Sequence, residues 1–169
     1  IDAGLTPTVD TGEARWKPLH WVLEAPDVIH THGGFDAIIG NPPFLGGQKL
    51  TGSMGTNVRD LFVFSIAGGA RGSADLAAYF FLRAHDLLSD RGTLGLIATN
   101  TIGQGATREV GLDRIVQAGF NLTRSIQSSK WPASSANLEF AAVWGSSRTP
   151  SPQVRPTSDG VRVPVVTTL

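Results

Sequence analysis

Apolar residues occur in short runs separated by glycine, proline and polar stretches, and two of these runs predict strands of a parallel sheet. Residues 35–40 (Phe-Asp-Ala-Ile-Ile-Gly) and residues 93–99 (Thr-Leu-Gly-Leu-Ile-Ala-Thr) are short, apolar and bounded by turn residues. Strands that helices cover on both faces have this composition. We therefore expect both strands to be buried, with the second in the centre of a sheet.

A helix is predicted between the two strands. Apolar side chains recur at helical intervals up to Ser89, at Leu76, Tyr79, Phe80, Ala84, Leu87 and Leu88. Ser73 is suited to cap this helix, and the positive end of the helix would be complemented by Asp75. Asp90-Arg91-Gly92 is typical of a turn. A strand, a crossover helix and a second strand then form a βαβ unit.

The remaining runs predict one more helix and an antiparallel pair of strands. Thr107 is suited to cap a helix over residues 108–118, which Gly119 would end. Its expected inward side chains are Val110, Leu112, Ile115 and Val116. Runs at 122–126 and 138–144 are joined by a Ser-rich connection that is too short for a crossover helix, so we expect them to pair antiparallel.

Residues 40–72 contain eight glycines, too many for the interior of a helix or strand. We expect a long loop there, either functional or mobile, around a short packed piece at residues 61–66. The chain is accordingly divided into an approach segment (1–34), in which Trp16, Trp21 and Leu23 can pack, a central α/β domain (35–145), and a Ser/Pro-rich linker or edge segment (146–169) with a weak strand at 161–166.

Composition and charge narrow the class of protein. The chain is 41% hydrophobic and 17% charged, with no cysteine and zero net charge. This excludes a disulfide scaffold, a zinc-thiolate site and a thiol nucleophile, and we expect a cytoplasmic protein without membrane spans. The charge is uneven: residues 1–100 hold 7 basic and 10 acidic residues, a net of −3, while residues 101–169 hold 7 and 4, a net of +3. The second part is therefore suited to face a polyanion.

The most informative residues are Asn41-Pro42-Pro43-Phe44, at the carboxyl end of the first predicted strand. Open α/β sheets bind ligands at that edge. The two prolines stiffen the turn and remove two N–H donors, so their carbonyls have no local donor. The Asn41 amide oxygen and the Pro42 carbonyl can then accept both hydrogens of an aromatic amine, while the Phe44 ring stacks on the heterocycle. The pattern predicts a clamp for an exocyclic amino group.

A plainer interpretation stands beside this one. Asparagine and proline both favour turns, so Asn-Pro-Pro is also typical of an ordinary strand-ending turn. Phe44 would then be an anchor in the hydrophobic core.

Residues 35–44 resemble the amine-binding motif of the amino-group DNA methyltransferases, which reads Asn or Asp, Pro, Pro, then Tyr or Phe. Residues 20–28 resemble the segment that leads into this motif in single-chain restriction-modification enzymes. The methyltransferase domain of the MmeI-like Type IIG enzymes is resembled by residues 78–88, 92–102 and 104–109. The likeness extends from Trp21 to Trp144.

The resemblance implies a fold and an activity. The fold is the C-terminal half of a Rossmann-like methyltransferase domain, an α/β fold with parallel strands, crossover helices and a final antiparallel pair. The activity is transfer of a methyl group from S-adenosylmethionine to N6 of a flipped adenine in double-stranded DNA. Such a domain belongs to a restriction-modification or phage-defence protein.

Under this resemblance the candidate residues fall into three groups. Asn41, Pro42, Pro43 and Phe44 are catalytic; Trp131, Asn100, Thr101 and Lys49 contact the DNA substrate; Gly40 and Asp75 lie on the cofactor side. Plainer interpretations remain open for the last two groups: a packed tryptophan, a strand-end turn, an exposed lysine and a helix-start carboxylate. His30 and His32 are better explained as solvated loop residues, and we expect no metal site.

Some parts of such a domain are not found in the sequence. The glycine-rich cofactor turn and the acidic residue for the cofactor ribose are expected before Asn41, yet the preceding 40 residues are too few for two or three βα units of about 30 residues each. We therefore expect a fragment that binds no S-adenosylmethionine by itself. Its expected partners, besides DNA, are an N-terminal cofactor-binding half and a C-terminal target-recognition region of the same chain.

Two alternatives stay open. A methyltransferase that acts on RNA or on a glutamine amide can use the same clamp, because an amide NH₂ has the same two hydrogens. A non-catalytic module is the other, with a structural turn and a basic second part that only contacts DNA.

Overall fold

The computed structural model describes residues 19–70, 73–132 and 139–166. Its strands are β1 (Phe35–Gly40), β2 (Leu88–Thr99), β3 (Asn121–Lys130), β4 (Glu139–Ser146), β5 (Thr157–Ser158) and β6 (Val161–Arg162). In this part of the chain they form one six-stranded sheet in the order β1-β2-β4-β3-β5-β6. β1 and β2 are parallel, whereas β4 is antiparallel to both of its neighbours. The predicted α/β class and the antiparallel pair are confirmed.

The helices are α1 (Trp21–Glu24), α2 (Pro26–His30), α3 (Gly47–Met54), α4 (Thr56–Asp60), α5 (Leu76–Leu87), α6 (Gly105–Val110) and α7 (Leu112–Gln117). A π-helical stretch covers Leu61–Ile66, and a 3₁₀ turn covers Asn100–Gly103. Within the described ranges, no helix has the length and apolar character that crossing a membrane requires.

The glycine-rich segment is helical over much of its length, so the expectation of a long loop is wrong. The reason is where the glycines lie: Gly46 and Gly55 flank α3, and Gly68 follows the π-helical stretch. In the described part of the segment, Gly47 is the first residue of α3 and only Gly52 lies in a helix interior. The packed piece predicted at residues 61–66 is confirmed by its buried Val63.

The predicted βαβ unit is confirmed as β1-α5-β2, with Ile38 of β1 beside Leu94 of β2. Two details differ. The N-cap of α5 is Asp75 instead of Ser73, and its carboxylate accepts a hydrogen bond from the Ala77 amide at 3.0 Å. The turn predicted at residues 90–92 lies within β2. The register between β1 and β2 shifts at this point, so these residues have no register partner in β1.

β1 is not buried as predicted: Ile39 is 83% exposed. The strand pairs with β2 on one side only, and no strand of the described chain lies along its other edge. β2, between β1 and β4, has the central place expected of it. The composition of β1 is thus that of an interior strand, although its position is an edge.

The hydrophobic core lies between α5–α7 and one face of the sheet. Alternate residues of β2 and β4 belong to it, Leu94, Leu96 and Ala98 from the first and Ala141 and Val143 from the second. On the other face, the guanidinium carbon of Arg124 lies 4.9 Å from the centre of a Trp144 ring. A Cβ on Gly95 would come within 2.8 Å of Trp144 Cδ1, so the indole requires glycine there.

Helix α5 faces the core largely as predicted, since five of the six side chains that were expected inward are buried and one is exposed. Tyr79 and Phe81 are among the largest fully buried side chains, while Phe80 is 41% exposed. The Tyr79 ring stacks on Phe62 with centroids 5.3 Å apart. Burial raises the pKa of the Tyr79 phenol, and the positive charge of Arg59 partly opposes that rise.

The helix predicted at residues 108–118 is split at Gly111 into α6 and α7. Thr107 lies inside α6 and does not cap it; its Oγ1 accepts a hydrogen bond from the Asp75 amide at 3.1 Å. The inward residues are as predicted, and Gly119, at φ +95°, follows the end of α7.

The terminal segments pack only in part. Trp21 contacts Phe35 edge to face at 5.4 Å, but Leu23 is exposed and Trp16 lies outside the described residues. Near the other end β5 and β6 extend the sheet, and buried Val166 bridges to Leu122. The residues after Ser146 therefore behave as an edge segment.

We expect Phe81→Ala to lower the free energy of unfolding by about 3–5 kcal/mol, because the ring is fully buried in the core. The neighbouring Phe80→Ala is the matched control and should cost about 1 kcal/mol or less. Urea denaturation followed by circular dichroism measures both. Equal losses would contradict the helix orientation described above.

Candidate active site

Asn41-Pro42-Pro43-Phe44 connects the carboxyl end of β1 to the start of α3. Pro42 is buried, Asn41 and Pro43 are exposed, and Phe44 is half-buried. Phe44 is not part of the hydrophobic core cluster, whereas the next residue, Leu45, packs against it. The turn is therefore anchored through Pro42 and Leu45, and the Asn41 side chain remains accessible.

The segment after this turn is fixed to the beginning of α5. The Leu76 amide donates a hydrogen bond to the Leu45 carbonyl oxygen at 2.9 Å. A Cβ on Gly47 would overlap the backbone of Ser73 and Ala74, so only glycine permits this approach. These contacts hold the Asn-Pro-Pro-Phe turn between β1 and the crossover helix.

Asn100 and Thr101 follow the carboxyl end of β2, in the 3₁₀ turn. Because β1 and β2 are parallel, these residues and Asn41 lie on the same edge of the sheet. The Thr101 hydroxyl lies 2.6 Å from the Thr99 hydroxyl, and Ile102 is fully buried beneath the turn. The half-buried Asn100 is thus presented on a turn with a fixed base.

Trp131 reaches the same edge by another path. It follows β3, and β3 and β2 flank β4, to which both are antiparallel. Trp131 meets Phe140 edge to face, with centroids 5.5 Å apart and an interplanar angle of 83°. Phe140 in turn is the register partner of Thr99. The sequence analysis did not identify Phe140. Its one signal is the even spacing of Phe140 and Trp144 along β4, which places both on the sheet face opposite the core.

A groove of about 560 Å³ runs beside the turn, between β1 and α5. Its wall is almost wholly apolar, and its lining includes Asn41, Pro42, Pro43, Trp21, Phe80 and Arg83. Gly40 also lines it, and a Cβ there would make only an ordinary contact, 3.5 Å from Leu96. Space does not therefore demand glycine at that position.

The structure explains one of the two charged candidates, Asp75, but assigns no role to the other, Lys49. Asp75 is buried, and its carboxylate caps α5, which accounts for it without a ligand. Lys49 is exposed on α3 and has no ion-pair partner among the described residues. By contrast Arg59 pairs with Asp60 at 2.8 Å.

The profile of the Eco57I restriction-modification methylase family matches residues 8–123, more than half of the chain. The chain belongs to this family. The match contains β1, the Asn41–Phe44 turn, α5 and β2, and so covers the candidate site apart from Trp131 and Phe140. Curated protein sequences give no significant match.

The fold is similar to part of a solved restriction-modification enzyme. MmeI, a Type IIL enzyme solved in complex with DNA, aligns with 72% of the chain at 18% identity and a TM-score of 0.58. The DrdV–DNA complex aligns with 67% at 17% identity and a TM-score of 0.47. The Eco57I-family chain spans 16% of the MmeI chain and 14% of the DrdV chain. The similarity to MmeI establishes a shared α/β fold.

We expect Gly47→Ala to destabilise the protein by about 1–3 kcal/mol or more, because the added methyl overlaps backbone atoms that cannot rotate away. Gly46→Ala is the matched control: its Cβ points into open space, so stability should stay unchanged or rise by up to about 1 kcal/mol. Thermal unfolding and limited proteolysis of residues 45–70 compare the two. Identical behaviour would show that the contact between Gly47 and Ser73 does not hold the turn.

Proposed function

We propose that this chain forms the base-binding side of a DNA methyltransferase that methylates N6 of a flipped adenine in double-stranded DNA, within a restriction-modification or phage-defence protein. The observation that carries the proposal is the Asn41–Phe44 turn, which leaves the carboxyl end of β1 with Asn41 exposed and Pro42 buried. Membership of the Eco57I methylase family supports it.

The chemistry needs two acceptors. The lone pair of adenine N6 is delocalised into the ring, so the site must draw the nitrogen towards tetrahedral geometry. In the proposed site, Asn41 Oδ1 and the Pro42 carbonyl accept the two N6 hydrogens. Pro42 and Pro43 have no N–H, so no local donor competes for these acceptors.

We propose that two aromatic side chains replace the stacking that the base loses on leaving the duplex. Phe44 and Trp131 are both half-buried, and neither belongs to the hydrophobic core cluster. In the proposal they contact the flipped adenine, with Asn100 and Thr101 on the same edge. Lys49 and the basic second part of the chain face DNA phosphates.

S-adenosylmethionine supplies the electrophilic methyl group when it is bound. The described residues fit mainly the methyl-accepting side: the groove beside Asn41 is apolar, and the Asp75 carboxylate already accepts from the Ala77 amide. Gly40 is therefore the better supported of the two candidates for the cofactor side. We propose that most polar contacts to the cofactor come from outside these residues.

The edge of β1 that is unpaired in the described chain is where we propose that the remaining cofactor-binding residues attach. Its exposed Ile39 lies on the sheet face beside Gly95, and the groove next to the strand is bounded by Trp21 and Phe80. Parallel strands are ordinarily covered on both faces. We propose that an N-terminal cofactor-binding half of the same polypeptide pairs with β1, and that a C-terminal target-recognition region completes the DNA-binding surface.

In the complete enzyme, Asn41→Ala should lower kcat by about 10²–10³, as expected for an interaction made mainly in the transition state, with little change in DNA affinity. Asn121→Ala, at the opposite edge of the sheet, is the matched control and should leave kcat near wild type. Single-turnover transfer of a labelled methyl group, with mass spectrometry of the product nucleosides, measures both. N6-methyladenine formed at an undiminished rate would return Asn41 to a purely structural role.

Phe44→Ala should weaken base flipping by about 1–3 kcal/mol, the size of one stacking interaction, and should change the melting temperature little. Phe44→Tyr and Phe44→Trp should be tolerated because both keep a π-face. The readout is the fluorescence of 2-aminopurine at the target adenine, which falls when flipping weakens. A large drop in melting temperature with normal flipping would instead make Phe44 a core anchor.

A further inference from the structure

We propose that Phe140 is a positioning residue that holds the Trp131 ring where the flipped base binds. The inference rests on the proposed function, because it concerns the second aromatic surface of that site. Phe140 contacts the Trp131 ring edge to face at 5.5 Å. Such pairs have a preferred orientation, since the positive edge of one ring faces the negative face of the other.

The backbone of Phe140 is held from both sides, whereas Trp131 lies outside the strands of the described residues. Phe140 lies in β4 and is the register partner of Thr99 in β2 and of Ser129 in β3. Trp131 comes after Lys130, the last residue of β3, and before Pro132. The sheet therefore fixes the position of Phe140, and the ring contact passes that position on to Trp131.

A role in the core does not account for the pair. Phe140 and Trp131 are both half-buried, and neither is among the residues that form the described hydrophobic cluster or pack against it. The pair lies on the sheet face opposite that core, at the edge where Asn100 follows Thr99. An aromatic pair outside the core, beside the candidate site, is suited to hold a stacking surface.

A double-mutant cycle in the complete enzyme tests the proposal with Phe140→Leu, Trp131→Leu and the double variant. We expect Phe140→Leu to lower kcat/KM for adenine methylation by about 2- to 10-fold, the range of one edge-to-face contact, and to reduce 2-aminopurine fluorescence. With Trp131→Leu already present, Phe140→Leu should have no further effect on either. Phe140→Tyr keeps the ring and should restore both readouts.

Ile126→Ala is the matched control. Ile126 is half-buried on the same sheet face and is paired with Ala142, and its aliphatic side chain cannot make an edge-to-face ring contact. It should lower the melting temperature without changing flipping. If Phe140→Leu does not fold, Phe140→Met takes its place in the cycle. The positioning role would be overturned if the losses in kcat/KM were additive, or if the effect of Phe140→Leu followed the melting temperature alone. The proposed function would still stand in that case, provided that turnover depends on Asn41. An enzyme that forms no N6-methyladenine would overturn the proposed function as well.

Discussion

Parallel pairing of β1 with β2 needs a crossover connection. Helix α5, which comes between the two strands in the sequence and packs on one face of the sheet, is part of that connection. This pairing brings both carboxyl ends to one edge, so Asn41 and Asn100 share a side of the molecule although they are far apart in the chain. The antiparallel β4 then returns Phe140 to the same edge. The candidate site depends on this one arrangement of three strands.

Several features of this arrangement could be predicted from the sequence. The apolar periodicity of residues 76–88 is strong enough to indicate α5, and short apolar runs on either side indicate β1 and β2. The Asn41–Phe44 turn follows because two adjacent prolines must end a strand. These are local signals, and each depends only on residues that are near one another in sequence.

Features that depend on distant contacts were missed or wrong. Phe80 has helical spacing suited to the core, but it is 41% exposed, and the neighbouring Phe81, which was not predicted inward, is fully buried. Glycine content predicted a loop where glycines mark the ends of α3. Phe140 escaped notice because a register shift between Ile126 and Ser129 sets its pairing, and a β-bulge of this kind has no reliable signal in the spacing of apolar residues.

The apolar composition of β1 also bears on how the two halves of the proposed enzyme are joined. Residues 37–39 are apolar although the described chain leaves Ile39 in solvent, and an exposed apolar edge invites pairing with another strand. The turn that is proposed to hold the methyl-accepting nitrogen begins at the end of this same strand. A strand added to β1 would therefore lie directly beside Asn41, and the contacts that complete the sheet would also set the distance between methyl donor and acceptor. Folding of the two halves and alignment of the reacting groups would then depend on one interface.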